Sequence, residues 1–271
     1  MIEGRLKEYI RGNLSKGGLV CLTGAGISAE SGIPVFRGKG GLWEKYDPEV
    51  FANSEGLARA FRENPEKIAG FLVDFYSLLL AARPNPGHLG LALLEKEHLL
   101  NAVITQNIDN LHAQAGSRNV IELHGNAFRI KCPSCGARVT FEKDRLKEMV
   151  ELLKARRHSR AGLIRILSRY FPRCSCKGRF RIDIVLFGEA LGEEELRRSY
   201  MELEKCKALL IIGTSLAVYP AAGLPLFAKE RGACLIEVNN GASELSGLCD
   251  YKITGPAGEI VPEMINLIGN G

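Results

Sequence analysis

The sequence contains no apolar run approaching the roughly 18 residues that cross a bilayer, so a membrane-spanning helix is set aside. Its first residues, Met1-Ile-Glu-Gly-Arg5, lack the apolar core of a secretory signal, and a cytoplasmic location is the default expectation. Internal repeats and low-complexity linkers are missing too, leaving 271 residues for one large domain with an insertion, or for two domains. There is little excess charge: a net +5 suggests at most a basic patch for acidic partners. Tryptophan occurs once, as Trp43. What remains, 46% hydrophobic and 25% charged residues, is ordinary for a globular protein.

Cysteine is plentiful. Cys21, Cys206, Cys234 and Cys249 stand alone among apolar residues and read as small buried side chains. Cys132 and Cys135 form a Cys-x-x-Cys knuckle flanked by Pro133 and Gly136, and Cys174 and Cys176 form a tighter Cys-x-Cys pair. Without a secretion signal, two such pairs read as metal ligands more readily than as disulfides. Four thiolates leave no place for water, so the expectation is one structural zinc without a catalytic role.

The chain is organised around Leu19 to Arg37. Leu19 to Leu22 reads as a buried strand, and Thr23-Gly24-Ala25-Gly26 as a glycine turn into a short helix from Ile27 to Glu30. Two glycines let a backbone approach a pyrophosphate, and a helix N-terminus favours an anion. The third glycine of the dinucleotide fingerprint is lacking, because position 29 is Ala29; a tight strand-to-helix junction explains Gly-x-Gly equally well. Gly32 and Pro34 stop the helix and put Phe36 and Arg37 on a loop. Gly38 to Trp43 reads as a glycine-rich lid or as a plain surface loop.

Helical spacing precedes this stretch (residues 2 to 16) and follows it (Asp47 to Arg83) until Pro84-Asn-Pro-Gly-His88 breaks it. His88 reads as structural, a cap or a packed ring. Ala102 to Thr105, Val120 to Leu123, Ile182 to Glu189, Ala208 to Ile212, Cys234 to Asn239 and Tyr251 to Ile253 read as strands or strand-turn segments. Helices are expected between them, one from Glu193 to Lys205, one opening at Pro220 and a last one at Pro256. The alternation predicts a parallel, doubly wound α/β sheet of Rossmann type, with a small zinc-ribbon and helical domain inserted. The expected division is 1–47, 85–130 and 183–271 for the nucleotide domain, with 48–84 (helical) and 131–182 (zinc) forming the small domain. Asn107 and Asp109 beyond the second strand, and His124 at the end of the third, lie where such sheets bind ligands. A histidine there serves as a general base or is simply buried; Asp109 equally suits an N-cap.

The run Gly24-Ala-Gly-Ile-Ser-Ala-x-Ser-Gly-Ile-Pro-x-Phe-Arg37 resembles the signature of the sirtuin family of NAD-dependent protein-lysine deacylases. Gln106-Asn107-Ile108-Asp109, Leu123-His124-Gly125 and Gly213-Thr214-Ser215 extend the resemblance over nearly all of the chain. It implies NAD as co-substrate and acetylated-lysine proteins as partners. It implies cofactor contacts from Gly24, Ala25, Gly26, Ser28, Phe36, Arg37, Trp43, Gln106, Asn107, Ile108, Asp109, Gly213, Thr214, Ser215, Asn239 and Ala257, with Asn107 and Asp109 on the nicotinamide carboxamide. His124 would deprotonate the ribose hydroxyls after the acyl oxygen displaces nicotinamide, so that free lysine and O-acyl-ADP-ribose result. Val185, Phe187, Gly188 and Glu189 would receive the substrate peptide as an added strand, through backbone pairing of low sequence selectivity.

The chain departs from the family at Arg181-Ile-Asp183, where Arg-Pro-Asp is common, and at Asn239-Asn-Gly241, which lacks the usual acid. The Tyr-x-x-Arg of succinyl-preferring members is also absent: Tyr76-Ser-Leu-Leu79 has no arginine, which favours uncharged acyl groups. Two other functions stay in view, ADP-ribosyl transfer to a protein and a non-enzymatic NAD-sensing nucleic-acid or chromatin binder. The second draws on residues 154–173, which hold seven cations, Arg156, Arg157 and Arg160 among them, and no acid. Leu163, Ile164, Ile166 and Leu167 give that segment an apolar stripe, with a cationic face that is either merely solvated or meets nucleic-acid phosphates.

Overall fold

The computed structural model describes residues 4–14, 17–34, 45–156 and 159–269. Phe36, Arg37, Trp43 and Arg157 lie outside them, as does the glycine-rich segment 38–43. The chain divides into two compact units, one of Met1–Val35, Arg83–His124 and Leu191–Gly271, the other of Phe36–Ala82 and Gly125–Ala190.

The first unit is built on six parallel strands: β1 (Leu19–Thr23), β2 (Leu100–Thr105), β3 (Val120–Glu122), β7 (Ala208–Ile212), β8 (Cys234–Asn239) and β9 (Tyr251–Thr254). Their order across the sheet is β3-β2-β1-β7-β8-β9. β1 and β7 are central and buried throughout, which explains why both read as unbroken apolar runs rather than alternating ones. Alternate residues, among them Leu19, Cys21, Leu210, Ile212, Ile236 and Val238, face a core completed by Leu6, Ile10 and Leu14 from the N-terminal helical segment. Leu91 and Leu94 of helix Pro86–Lys96 and Val261 and Met264 of helix Ala257–Gly269 close it. Val20, Leu22, Leu209, Ile211 and Leu235 are also fully buried and point to the other face, so the sheet is covered on both sides.

Strand order reverses between β1 and β7, and Thr23 pairs in register with Ile212. The two strands end level, so the loops after them are neighbours at the switch point of the sheet, where doubly wound folds take ligands. The helix expected to open at Pro220 starts at Gly223, because Val218 to Ala222 forms a turn first.

The second unit holds helices Pro48–Phe51, Ser54–Glu63, Pro65–Ala81, Lys143–Arg156 and Arg160–Tyr170. Beside them is a three-stranded antiparallel sheet ordered β5 (Arg138–Thr140), β4 (Gly125–Lys131), β6 (Arg181–Ile184). Prolines at the first turn and Asp47 and Asn64 at the N-caps start two of the helices, each cap accepting a backbone N–H. β4 has no alternating pattern in the sequence, since four of its first five residues and Ile130 are buried. Its pairing with β6 puts 125–131 and 181–184 in the cysteine unit, so the junctions read at 130/131 and 182/183 fall inside this small sheet. β6 stops at Ile184, and Val185 to Glu189 turns rather than continuing the strand. The Leu186 N–H is bonded to the Glu189 carboxylate at 3.1 Å, and Gly188 takes φ 83°. No described helix is long and apolar enough to cross a membrane.

Candidate active site

The loops that follow β1, β2, β7 and β8 are tied together by backbone and side-chain bonds. The Gly24 N–H donates to the Ile212 carbonyl at 3.0 Å and the Gly26 N–H to the Gly213 carbonyl at 2.7 Å. A Cβ at position 24 would lie 2.7 Å from Thr214 Cβ, and one at position 26 would lie 2.5 Å from Gly213 Cα. Glycine is therefore required at both positions by the contact between the two loops, whatever a pyrophosphate adds. The helix after the turn is a single 3-10 stretch, Ala25–Ser31, closed by Gly32 in the left-handed region. Gln106 Nε2 donates to Thr214 Oγ1 at 2.8 Å, Asn107 Nδ2 to the Gly24 carbonyl at 3.1 Å, and Asn239 Nδ2 to the Thr214 carbonyl at 3.0 Å. Gly24, Gly26, Gln106, Asn107, Gly213, Thr214 and Asn239 thus form one bonded rim. Ala25, Ile108 and Ser215 sit on the same loops. Ala257 opens the last helix, where the next residue, Gly258, donates its N–H to Glu30 of the 3-10 stretch.

Ser28 is the hub beneath this rim. It is wholly buried, donates to Asp109 Oδ2 at 2.7 Å, and accepts from Asn107 Nδ2 at 3.1 Å. Burial pushes the Asp109 carboxyl up from its ordinary value, against the Ser28 hydroxyl and the Leu111 N–H that favour the anion. Asp109 is not the N-cap of helix Leu111–Ala115. Asn110 holds that place at φ 63°, and Asp109 Oδ1 bonds the Leu111 N–H from one residue earlier.

His88 caps helix Pro86–Lys96 with Asn85, as expected of a structural histidine. Its Nδ1 accepts the Asn85 N–H, so Nε2 carries the proton directed at Ser28 Oγ, 3.4 Å away. Asn85 in turn donates to the Ile27 carbonyl and to Ser31 Oγ, fixing the 3-10 stretch. Behind this lies a polar chain that the sequence did not announce. Thr23 Oγ1 donates to Thr105 Oγ1 at 2.8 Å and accepts from His112 Nε2 at 2.9 Å, while Thr105 Oγ1 also accepts the Asn107 N–H. Both threonines are the last residues of buried strands, a position where a hydroxyl among apolar neighbours is the available signal.

Burial holds the imidazoles of His88 and His112 near pKa values of about 4 and about 3, and the rings lie 4.9 Å apart. Above pH 6.5 both are neutral whether the chain is folded or unfolded. As pH falls below 6.5, the unfolded chain takes up protons that the folded one refuses. Each group then removes about 1.4 kcal/mol of stability per pH unit until its folded pKa is reached. Urea midpoints are accordingly expected to fall between pH 6.5 and 4.5. Replacing His88 by Gln should flatten that fall, and an unchanged slope would refute the assignment.

His124 follows β3. Its Nδ1 lies 2.8 Å from the Gln106 carbonyl, which only accepts, so Nδ1 carries the proton and Nε2 presents its lone pair. Burial lowers its pKa from the ordinary imidazole value, and the Gln106 carbonyl opposes the shift in part. The ring is therefore a neutral, oriented base at neutral pH.

In the second unit, Cys132, Cys135, Cys174 and Cys176 bring their sulfurs within 4.8 Å of one another. Cys132 and Cys176 are 3.5 Å apart and Cys135 and Cys174 3.6 Å. Tetrahedral Zn–S bonds of ~2.3 Å separate ligands by about 3.8 Å, so the set fits zinc. Two tight turns present it: the Gly136 N–H bonds the Cys132 carbonyl and the Lys177 N–H the Cys174 carbonyl. A Cβ on Gly178 would stand 2.8 Å from Cys132 Sγ. Without a cation the thiols compete. The Cys176 N–H pulls Cys174 down to about 6, while the sulfurs of Cys135 and Cys132 drive Cys176 up to about 12 despite the Gly178 N–H. A divalent ion removes that conflict. Among the proposed peptide contacts, Phe187 is 48% exposed, yet its N–H already bonds the Ala52 carbonyl, and Glu189 pairs with Arg181.

A sequence profile of the Sir2 family matches residues 24–220. An NAD-dependent protein deacylase of Pyrococcus furiosus is 45% identical over 250 residues, covering 92% of each chain. The crystal structure of a Sir2 homolog–NAD complex is similar at a TM-score of 0.78 and 35% identity, covering 100% of this chain and 95% of that one. A Sir2–p53 peptide–NAD+ structure is similar at 0.76 and 33%, with both chains covered in full.

Proposed function

Because the chain belongs to the Sir2 family, we propose that it is an NAD-dependent protein-lysine deacetylase that converts acetyl-lysine, NAD and water to lysine, nicotinamide and O-acetyl-ADP-ribose. One observation carries the reading: the loop that bears Asn107 and Asp109 also fixes His124, through the Gln106 carbonyl. Base and cofactor ligands are thereby held in one frame. NAD when bound supplies a ribose carbon whose nicotinamide leaves. Asn107 has its amide nitrogen committed to Gly24 and Ser28, which leaves its carbonyl oxygen to accept from a carboxamide. The donor set of Gly24 to Ser28 and Gly213 to Ser215 fits the phosphates and ribose, and His124 Nε2 would take the proton from a ribose hydroxyl. Zinc held by the four cysteines would fix the two turns of the small sheet and enter no step. The fit to NAD is supported by the buried Ser28–Asp109 pair, which costs desolvation and orients the rim.

Incubation with an acetyl-lysine peptide and NAD should release nicotinamide, and mass analysis should give O-acetyl-ADP-ribose. A protein side chain carrying ADP-ribose instead would move the assignment to ADP-ribosyl transfer. Tyr76 spends its hydroxyl on the Ala127 carbonyl at 3.0 Å, and Leu79 is buried, so neither offers a partner to an acyl carboxylate. On matched peptides kcat/KM should favour acetyl over succinyl by at least about tenfold, the size of a poorly paired polar group in an apolar pocket. A ratio near one or reversed would refute the apolar pocket.

A further inference from the structure

Residues 143–181 carry thirteen lysines and arginines against three acids, a net +10 in a chain whose whole net charge is +5. The three acids are already used: Asp144 pairs with Lys147, Glu151 with Lys154, and Glu148 with Arg169 and the Tyr170 hydroxyl. Arg160 gives its guanidinium to the Arg62 carbonyl. Arg181 pairs with Glu189, Arg145 lies over the rings of Phe141 and Tyr170, and Lys143 is engaged as well. Of the other described cations, Arg156, Arg165, Arg173, Lys177 and Arg179 are exposed and in no ion pair among the described residues. Arg173 and Arg179 face each other across an antiparallel bridge, a like-charge pairing that works against the fold. A zinc tetrathiolate beside them would offset part of that charge. Arg156 and Arg165, on the two helices, have no such compensation.

We propose that these exposed cations, on the two helices and beside the cysteine turns, bind the phosphate backbone of duplex nucleic acid, independently of the catalytic reading. Nine of the thirteen cations are arginine, whose planar fork suits phosphate oxygens. The apolar side of helix Arg160–Tyr170 is spent on the core through Leu163, Ile166 and Tyr170, leaving only Ile164, which the sequence placed in that stripe, exposed among cations. That is too little to enter a membrane. Phe141, Tyr170 and Phe171 are buried, so they offer no platform on which unpaired bases would stack, and a duplex is favoured over a single strand.

The test is anisotropy of a labelled 20-base-pair DNA of mixed sequence with the whole protein, between 50 and 200 mM salt. Contacts from five cations predict a slope of about −4.5 in log K against log salt, hence a loss of about 10²- to 10³-fold across that range. Arg156→Gln/Arg165→Gln should bring the slope to about −2.7 and the loss to roughly 40-fold. Zinc content and peptide turnover should stay as in the wild type. Absence of binding at 50 mM salt, an unchanged slope in the double variant, or tighter binding of the single strand would each overturn the proposal. Salt-reversible self-association that accounts for the anisotropy change would do the same, by assigning these cations to a second copy.

Discussion

His124→Ala is expected to lower turnover by about 10²- to 10⁴-fold, the usual contribution of a positioned base, while NAD affinity stays within a few-fold of wild type. Among the described residues the ring is bonded to the loop after β2 through Nδ1 and the Gln106 carbonyl, and the bonds joining Gly24, Asn107, Gly213, Thr214 and Asn239 do not pass through it. The pH profile supplies an independent reading. Burial lowers the His124 pKa, so the neutral base persists below the ordinary imidazole range, and activity should decline only as pH falls beneath about 6.5. Turnover in the alanine variant equal to wild type would remove His124 from the chemistry. A wild-type profile centred well above 7 would mean that the proton at issue belongs elsewhere.

The parallel sheet was legible because its central strands are apolar without interruption and end in small or polar residues. Leu19 to Thr23 and Ala208 to Ile212 are buried at every position, and nothing but a two-sided strand suits them. The small sheet was not legible. In β4, Asn126 is buried beside Ala127 and Phe128, with its side chain accepting the Phe128 N–H, so neither period of two nor polarity marks a strand. β6 reads as part of the parallel series because its partner, β4, is separated from it by fifty residues and two helices. Arg181-Ile-Asp183 carries no sign of antiparallel pairing, though Asp183 there takes both Arg129 and Arg138.

At the site, the residues named from sequence were those on loops, and their mutual bonds are what the sequence could not give. Ser28 was one cofactor contact among many; folded, it joins Asp109, Asn107 and His88. In the sequence the glycines at 24 and 26 read as room for a ligand, yet each is first demanded by the loop after β7. Such pairings depend on β1 and β7 being neighbours, a long-range fact that no local pattern contains.

Cys174→Ala is expected to lose the single zinc that metal analysis should find in the wild type, and to lower Tm on the order of 10 °C. Ligand binding energy is folding energy where the site does not exist in the unfolded chain, and for structural zinc it rivals the stability of a whole domain. The geometry says where that loss falls. Cys132 directly follows β4, and Cys174 sits beside the Arg173–Arg179 bridge that precedes β6, so the metal would clamp the two strands together at the Lys131–Arg181 end of their antiparallel ladder. Removing one thiolate leaves three sulfurs packed at contact distance and two like-charged arginines facing each other without the cluster's negative charge. Cys132→Ala should act alike, and the double variant should cost little more than either alone, because the first substitution already releases the ion. Cys249→Ala, at a half-buried thiol outside the cluster, is the control and should keep its zinc. A wild-type protein that carries no zinc when purified without chelators, or additive losses in the double variant, would return the four cysteines to free thiols.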